Sequence, residues 1–176
     1  MVAALVNTLL DRMNVLLALP FFLDSIFTAV NAALFGIVPG VVTGILTNVF
    51  MEIGYGMENL HWQWGLCNAA TGLVVGLAAV KGRFGTLLEL CIVIAGVTLA
   101  NSLIGATLAV YLFGGITGSP VDFIVVGLAA AGRSIFSSAF LARIVSNLID
   151  KSIAVVVAYV LYQYVREDKV PYIVGG

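Results

Sequence analysis

Asn147 to Val157, "NLIDKSIAVVV", sets an acid and a base side by side and follows them with an apolar run. The stretch lies inside a longer apolar segment, Phe136 to Val165, which is long enough for one tilted membrane-spanning helix. On a helix, Arg143, Asn147 and Lys151 are spaced by four and share a face, with Asp150 beside them. If that helix ends near Arg166 at a membrane boundary, Lys151 stands fifteen residues up it. At about 1.5 Å per residue this is about 22 Å, inside a hydrocarbon core about 30 Å thick. A charge there costs roughly 2.5–3.5 kcal/mol on insertion scales, so such groups face a bundle interior or a wet cavity. Two readings follow. Either Lys151 snorkels to the interface and pairs locally with Asp150, or this face is one wall of an outward-opening pocket.

The rest of the chain supports a membrane setting. Of 176 residues 61% are hydrophobic and only 10% charged, and the mean hydropathy is +1.12. Soluble domains carry about 25% charged residues. The length suits one domain, 1–176, of roughly six or seven spans with almost no mass outside the bilayer. The net charge of −1 and the scattered basic residues exclude a nucleic-acid footprint. Cys67 and Cys91 lack a C-x-x-C or His/Cys ligand spacing and read as packing residues. Residues 1–19 lack a basic n-region and carry Asp11 and Arg12, so they do not read as a cleavable signal.

A pass along the chain gives an all-α integral membrane protein. We expect a six-transmembrane-helix bundle with an additional short helix between helices 5 and 6. The first helix runs from Met1 to Leu19 and stops at Pro20; the second starts at Asp24-Ser25, with a side chain capping free N–H groups, and ends near Gly36. Pro39-Gly40 then breaks it from a third helix, Val41 to about Tyr55. The loop "GYGMENLHWQWG" (Gly54 to Gly65) follows, then a fourth helix from Leu66 to Val80 and a fifth from Thr86 to Phe113. The segment at about 120–134 is too short to span and is expected to lie at one face; a seventh full span is the alternative. With six spans the termini share a side. That side collects Lys81, Arg83, Arg166 and Lys169, so it is expected to be cytoplasmic.

Helical spacing sorts the small and polar residues. Gly36, Gly40, Gly44, Asn48 and Glu52 form one stripe, with glycines at the inner end for close backbone approach and polar groups at the outer end. The fourth helix repeats this in the opposite direction, with Asn68 outermost and Gly72 and Gly76 below it. Asn101, Gly105 and Ala109 line one side of the fifth. Each Asn alone is explained by interhelical hydrogen bonding; their convergence on one side favours a cavity. Beside Asn68 stand Glu58, His61, Trp62 and Trp64. Tryptophan at a boundary is an interfacial anchor, yet rings with a few directed polar groups also suit a flat heterocyclic ligand.

Catalysis finds little support. His61 is the only histidine and has no partner at metal-ligand spacing, so neither metal nor cofactor is expected. Ser137 and Ser138 have no visible dyad partner. The chain has no phosphate-binding glycine loop, so it does not itself hydrolyse ATP, and it has no repeated pore signature.

Three stretches resemble a known family. "LPFFLDSIFTAVNAALFGIVPGVVTGILTNV" (Leu19 to Val49) resembles the second and third helices of the substrate-binding S components of energy-coupling factor (ECF) transporters. "NAATGLVVGLAAV" (Asn68 to Val80) is similar to their fourth helix, and "NLIDKSIAVVVAYVLYQYV" (Asn147 to Val165) to their last. The resemblance implies a subunit of a bacterial or archaeal plasma membrane that binds a vitamin or similar small organic micronutrient on the outer face. It implies docking on a transmembrane coupling subunit driven by two cytoplasmic ATPases. Carried over by position, it implies substrate contacts from Glu58 to Trp64, Asn68, Asn101, Asn147 and Lys151. Arg143, on the Lys151 face, and Glu52, on the Asn48 stripe, join this set from spacing. The family's first helix often carries an A-xxx-A docking patch; here Ala3, Ala4 and Thr8 are the nearest equivalent. The competing expectation is the multi-helix sensor module of a bacterial signalling protein.

Overall fold

The computed structural model describes residues 1–56 and 61–167. Among the described residues it is all helical: α1 (Val2–Leu16), α2 (Ile26–Phe35), α3 (Ile37–Tyr55), α4 (Gly65–Val80), α5 (Leu87–Phe113), α6 (Asp122–Ala130) and α7 (Ile135–Glu167). A single 3-10 turn, His61–Trp64, leads into α4. Four segments are long and apolar enough to cross a membrane: Ile37–Tyr55, His61–Val80, Leu87–Phe113 and Ile135–Arg166. The chain is a helical membrane protein. α1 has 15 residues and α2 has 10, both shorter than a span. The short helix expected between the fifth and last long helices is present as α6, with 9 residues.

The small residues of α2 place it in the middle of the bundle. Ala29, Val30, Ala32 and Ala33 are buried in a core with Val75 of α4, Val97 of α5, and Val155 and Ala158 of α7. The chain turns from α2 to α3 at Gly36, whose φ of 95° lies in the left-handed region that favours glycine. This corrects the expected break at Pro39-Gly40. Pro39 sits in the first turn of α3, where its missing N–H removes no helical bond. Gly36 also leaves the packing stripe: a Cβ there would meet only Val80 Cγ2, at 3.7 Å. The other glycines bring α3 and α4 together backbone to backbone. A Cβ on Gly72 would lie 2.5 Å from the Gly40 carbonyl carbon, one on Gly44 2.6 Å from that of Asn68, and one on Gly76 2.7 Å from Ile37 Cα. A Cβ on Gly40 would in turn lie 2.5 Å from Ala32 Cβ, so the same face also admits α2.

α1 ends at Leu16, three residues earlier than expected, and the 17–25 connection folds against the bundle. It carries two non-glycine residues at positive φ, Ala18 at 50° and Leu23 at 56°. Leu23 is held there because its N–H donates to Asp150 Oδ1 of α7 at 2.7 Å. Asn7 ties α1 to both neighbours. Its Nδ2 donates to Thr28 Oγ1 (3.1 Å) and Thr47 Oγ1 (3.2 Å), and its Oδ1 accepts from Phe27 N–H at 2.9 Å. Ala4 is fully buried, and Thr8 donates to the Thr47 carbonyl at 3.3 Å. Ala4 and Thr8 of the small-residue patch therefore turn into the bundle, while Ala3 is half-buried.

The two ends of the bundle differ. At one end Tyr159 and Gln163 of α7 donate to the Gly85 carbonyl at 3.1 and 2.8 Å, just before α5 begins with a Thr86/Glu89 capping box. Lys81, Arg83 and Arg166 stand at this end and are exposed. Lys169, counted with them from the sequence, lies outside the described residues. The opposite end holds the 17–25 connection, the His61–Trp64 turn and the 114–121 loop, and there the bundle is hollow.

Candidate functional site

The hollow is a cavity of about 600 Å³. The α1–α2 connection contributes Phe21, Phe22 and Asp24; α3 contributes Asn48, Met51 and Tyr55. His61, Trp64 and Cys67 come from the turn and the start of α4, and Asn101 and Gly105 from α5. Thr117 to Val121 close one side, and α7 supplies Arg143, Asn147 and Lys151. The i, i+4, i+8 spacing on α7 does what helix geometry requires and points all three at one space.

Lys151 is buried and fully engaged. Its Nζ lies 2.5 Å from Asp150 Oδ2 and 3.3 Å from Asp24 Oδ1, and donates to Ser25 Oγ at 2.8 Å. It does not snorkel. Two carboxylates and a hydroxyl replace the water that a buried ammonium loses. The same contacts correct the expected cap of α2. Ser25 occupies the N-cap position but makes no side-chain cap bond, because its hydroxyl serves the ammonium instead. Asn147 donates to Ser102 Oγ at 3.1 Å. Asn101 donates to Thr71 Oγ1 and to the Val97 carbonyl, each at 3.0 Å, so its amide hydrogens tie α5 to α4 and to itself.

Aromatic rings form the other wall. Tyr55 and His61 stack with centroids 4.7 Å apart, and Trp64 stacks on Phe113 at 5.8 Å. The Arg143 guanidinium lies 5.6 Å from the Trp64 ring and the Lys151 ammonium 6.0 Å from Phe22. Tyr55 donates to Asp11 Oδ2 at 2.8 Å, while Arg12 lies over the Tyr55 ring at 3.8 Å and donates to the Gly54 carbonyl.

Of the residues expected to contact substrate, His61, Trp64, Asn101, Arg143, Asn147 and Lys151 stand on the cavity wall. Glu52, Trp62 and Asn68 do not. Glu52 accepts from Trp62 N–H at 3.1 Å and so pins the turn, and Trp62 is 57% exposed. Asn68 donates to the Asp24 carbonyl at 2.9 Å and to Asn48 Oδ1 at 3.3 Å, a buried tie among three elements. Glu58 lies outside the described residues.

Sequence reasoning misses Asp24, Asp11 and Tyr55 as wall residues; the 114–135 segment, longer than in the simplest members of the family the chain resembles, is expected to cap the pocket, and its Thr117–Pro120 loop stands on the wall. In the sequence Asp24 marks only a helix start, and its pairing with Lys151 spans 127 positions, which no spacing rule reports. The loop had a visible signal: Asp122 three residues after Ser119. Asp122 accepts from the N–H groups of Thr117, Gly118 and Ser119 at 2.8, 2.7 and 3.1 Å and so curls the loop over the cavity. Among the described residues no group of three or more His, Cys, Asp or Glu is placed to hold a metal ion.

Comparison of the chain with protein-family models, with curated proteins and with solved structures found no match.

Proposed function

We propose that this chain is the membrane-embedded substrate-binding subunit of an ECF-type micronutrient uptake transporter. The observation that carries the reading is the cavity: about 600 Å³ inside a bundle of apolar helices, walled by rings and by polar side chains from five helices and three connections. Ligand sites of drug-sized molecules are about 300–1,000 Å³, mostly apolar, with a few directed polar groups. The basic end, Lys81, Arg83 and Arg166, faces the cytoplasm by the positive-inside rule, and the cavity then opens outward. In this reading α1 and α2 join the four long helices to make six crossings, both termini are cytoplasmic, and α6 rests at the outer face of a bacterial or archaeal plasma membrane. The substrate is a small, ring-bearing organic molecule. The chain performs no chemistry on it; uptake is driven by a transmembrane coupling subunit and two ATPases.

The test is affinity purification of the full chain from its native membrane in a mild detergent, with mass spectrometry of the proteins recovered. The proposal expects one other membrane subunit and two ATPase chains in stoichiometric amounts. Recovery with a kinase or phosphatase and no ATPase would contradict it and favour the sensor module.

A further inference from the structure

Arg143 holds a charge that the protein leaves without a carboxylate at ion-pair distance, although Asp122 lies within electrostatic reach. Its side chain is 3% exposed and lies on the cavity wall. Its single hydrogen bond runs from Nη1 to the Ala139 carbonyl at 3.4 Å, one turn back on its own helix. A guanidinium carries five N–H donors in a planar fork, so most of its donor capacity is unused by protein. Among the described residues every ion pair belongs to Lys151. Asp122, on the helix that packs against α7, is occupied by three backbone N–H groups and the Thr117 hydroxyl.

The guanidinium is also held in place. Gly105 makes room for its stem, since a Cβ there would lie 3.2 Å from Arg143 Cδ. The Trp64 ring lies 5.6 Å from the guanidinium carbon and is itself stacked on Phe113. The contrast with Lys151 is informative. Eight residues along the same face, about 12 Å, a second buried cation has two carboxylates and a hydroxyl. The fold therefore supplies direct ion pairs at one end of the cavity and, at the other, only Asp122 beyond contact distance. A buried charge without a partner is costly in a bundle, and a guanidinium fork matches the oxygens of a carboxylate or phosphate.

We propose that the ligand of this cavity is a water-soluble organic anion whose carboxylate or phosphate sits on Arg143, with its body against the Trp64 and Phe22 rings. The inference rests on the reading of the cavity as a binding site and adds the chemical class of what it binds.

The experiment uses the full chain purified in mild detergent and the water-soluble small molecules of yeast extract, split on an anion exchanger into retained and unretained fractions. The retained fraction is expected to raise the thermal midpoint of the wild-type chain, and the unretained fraction to leave it unchanged. Phosphatase treatment of the retained fraction separates the two headgroups: lost stabilisation assigns a phosphate, preserved stabilisation a carboxylate. Arg143→Gln is expected to weaken binding of the retained fraction at least about tenfold, as removal of one partner from a buried charge pair does. Stabilisation by the unretained fraction alone, by a lipid extract alone, or undiminished binding by Arg143→Gln overturns the anion assignment and leaves a binding protein standing. No stabilisation by any fraction overturns the binding reading as well. The fractionation reads the wild-type chain, so it decides the matter even where Arg143→Gln does not fold.

Discussion

At the scale of single residues, α7 shows how the same chemistry serves two ends. Lys151 is a structural cation that draws α2 and α7 together through Asp24, Ser25 and Asp150. Removing it leaves two carboxylates facing each other in an apolar bundle. Lys151→Met is therefore expected to cost about 3–5 kcal/mol and to lower the thermal midpoint sharply. Asp24→Asn, which leaves the Asp150 pair intact, should cost much less. Equal midpoints for Lys151→Met and wild type would show that the triad is not ionised as a unit. The sequence made Lys151 conspicuous, because a charge well inside an apolar run must be explained. It did not disclose Asp24, whose approach depends on the 17–25 connection folding back with Ala18 and Leu23 at positive φ. Nor did it separate Asn68 from Asn147. Both stand on polar stripes, but one is consumed by ties to Asp24 and Asn48 while the other reaches the cavity wall.

At the scale of elements, the glycine stripes were the most readable feature, because a backbone-to-backbone contact demands small residues at a spacing of four on both partners. Gly40, Gly44, Gly72 and Gly76 all lie in the α3–α4 seam. Gly36 shared their spacing but serves the turn, and spacing alone cannot separate a packing glycine from one needed for a left-handed φ. Gly72→Val is expected to push α3 and α4 apart, costing about 1–3 kcal/mol or more as overpacking does, and to reduce the yield of monodisperse protein. Gly127→Ala, in α6 with nothing within 4 Å of the added Cβ, should be neutral or stabilising by up to about 1 kcal/mol. A Gly72→Val chain that unfolds with the wild-type midpoint would refute the seam. The lengths of α1 and α2 were less readable. Leu17 to Leu19 continue the apolar pattern of α1, yet the chain leaves the helix there to let Phe21, Phe22 and Asp24 reach the cavity.

At the scale of the whole molecule, the account rests on polarity along the bundle axis, with Lys81, Arg83 and Arg166 exposed at the closely packed end and the cavity at the other, where Arg12 lies over Tyr55 and Arg143 and Lys151 are turned into the wall. The orientation in the membrane is testable with single cysteines in a background where Cys67 and Cys91 are replaced by Ser. In intact cells a membrane-impermeant maleimide is expected to label Ala131→Cys and to spare Lys81→Cys until the membrane is opened. The reverse pattern would turn the cavity inward and remove the case for uptake. A polar cluster at one end of the bundle was legible from converging stripes, whereas the way Thr117 to Pro120 close it depended on three backbone N–H groups finding Asp122. The most direct measurement is native mass spectrometry of the intact chain, released from mild detergent, alongside an Asn147→Leu variant of matched helix content. The account predicts one small organic molecule per wild-type chain and its loss from the variant. A wild-type chain that stays empty after growth in rich medium, or a variant that keeps the molecule in full, would contradict the claim that this cavity binds it.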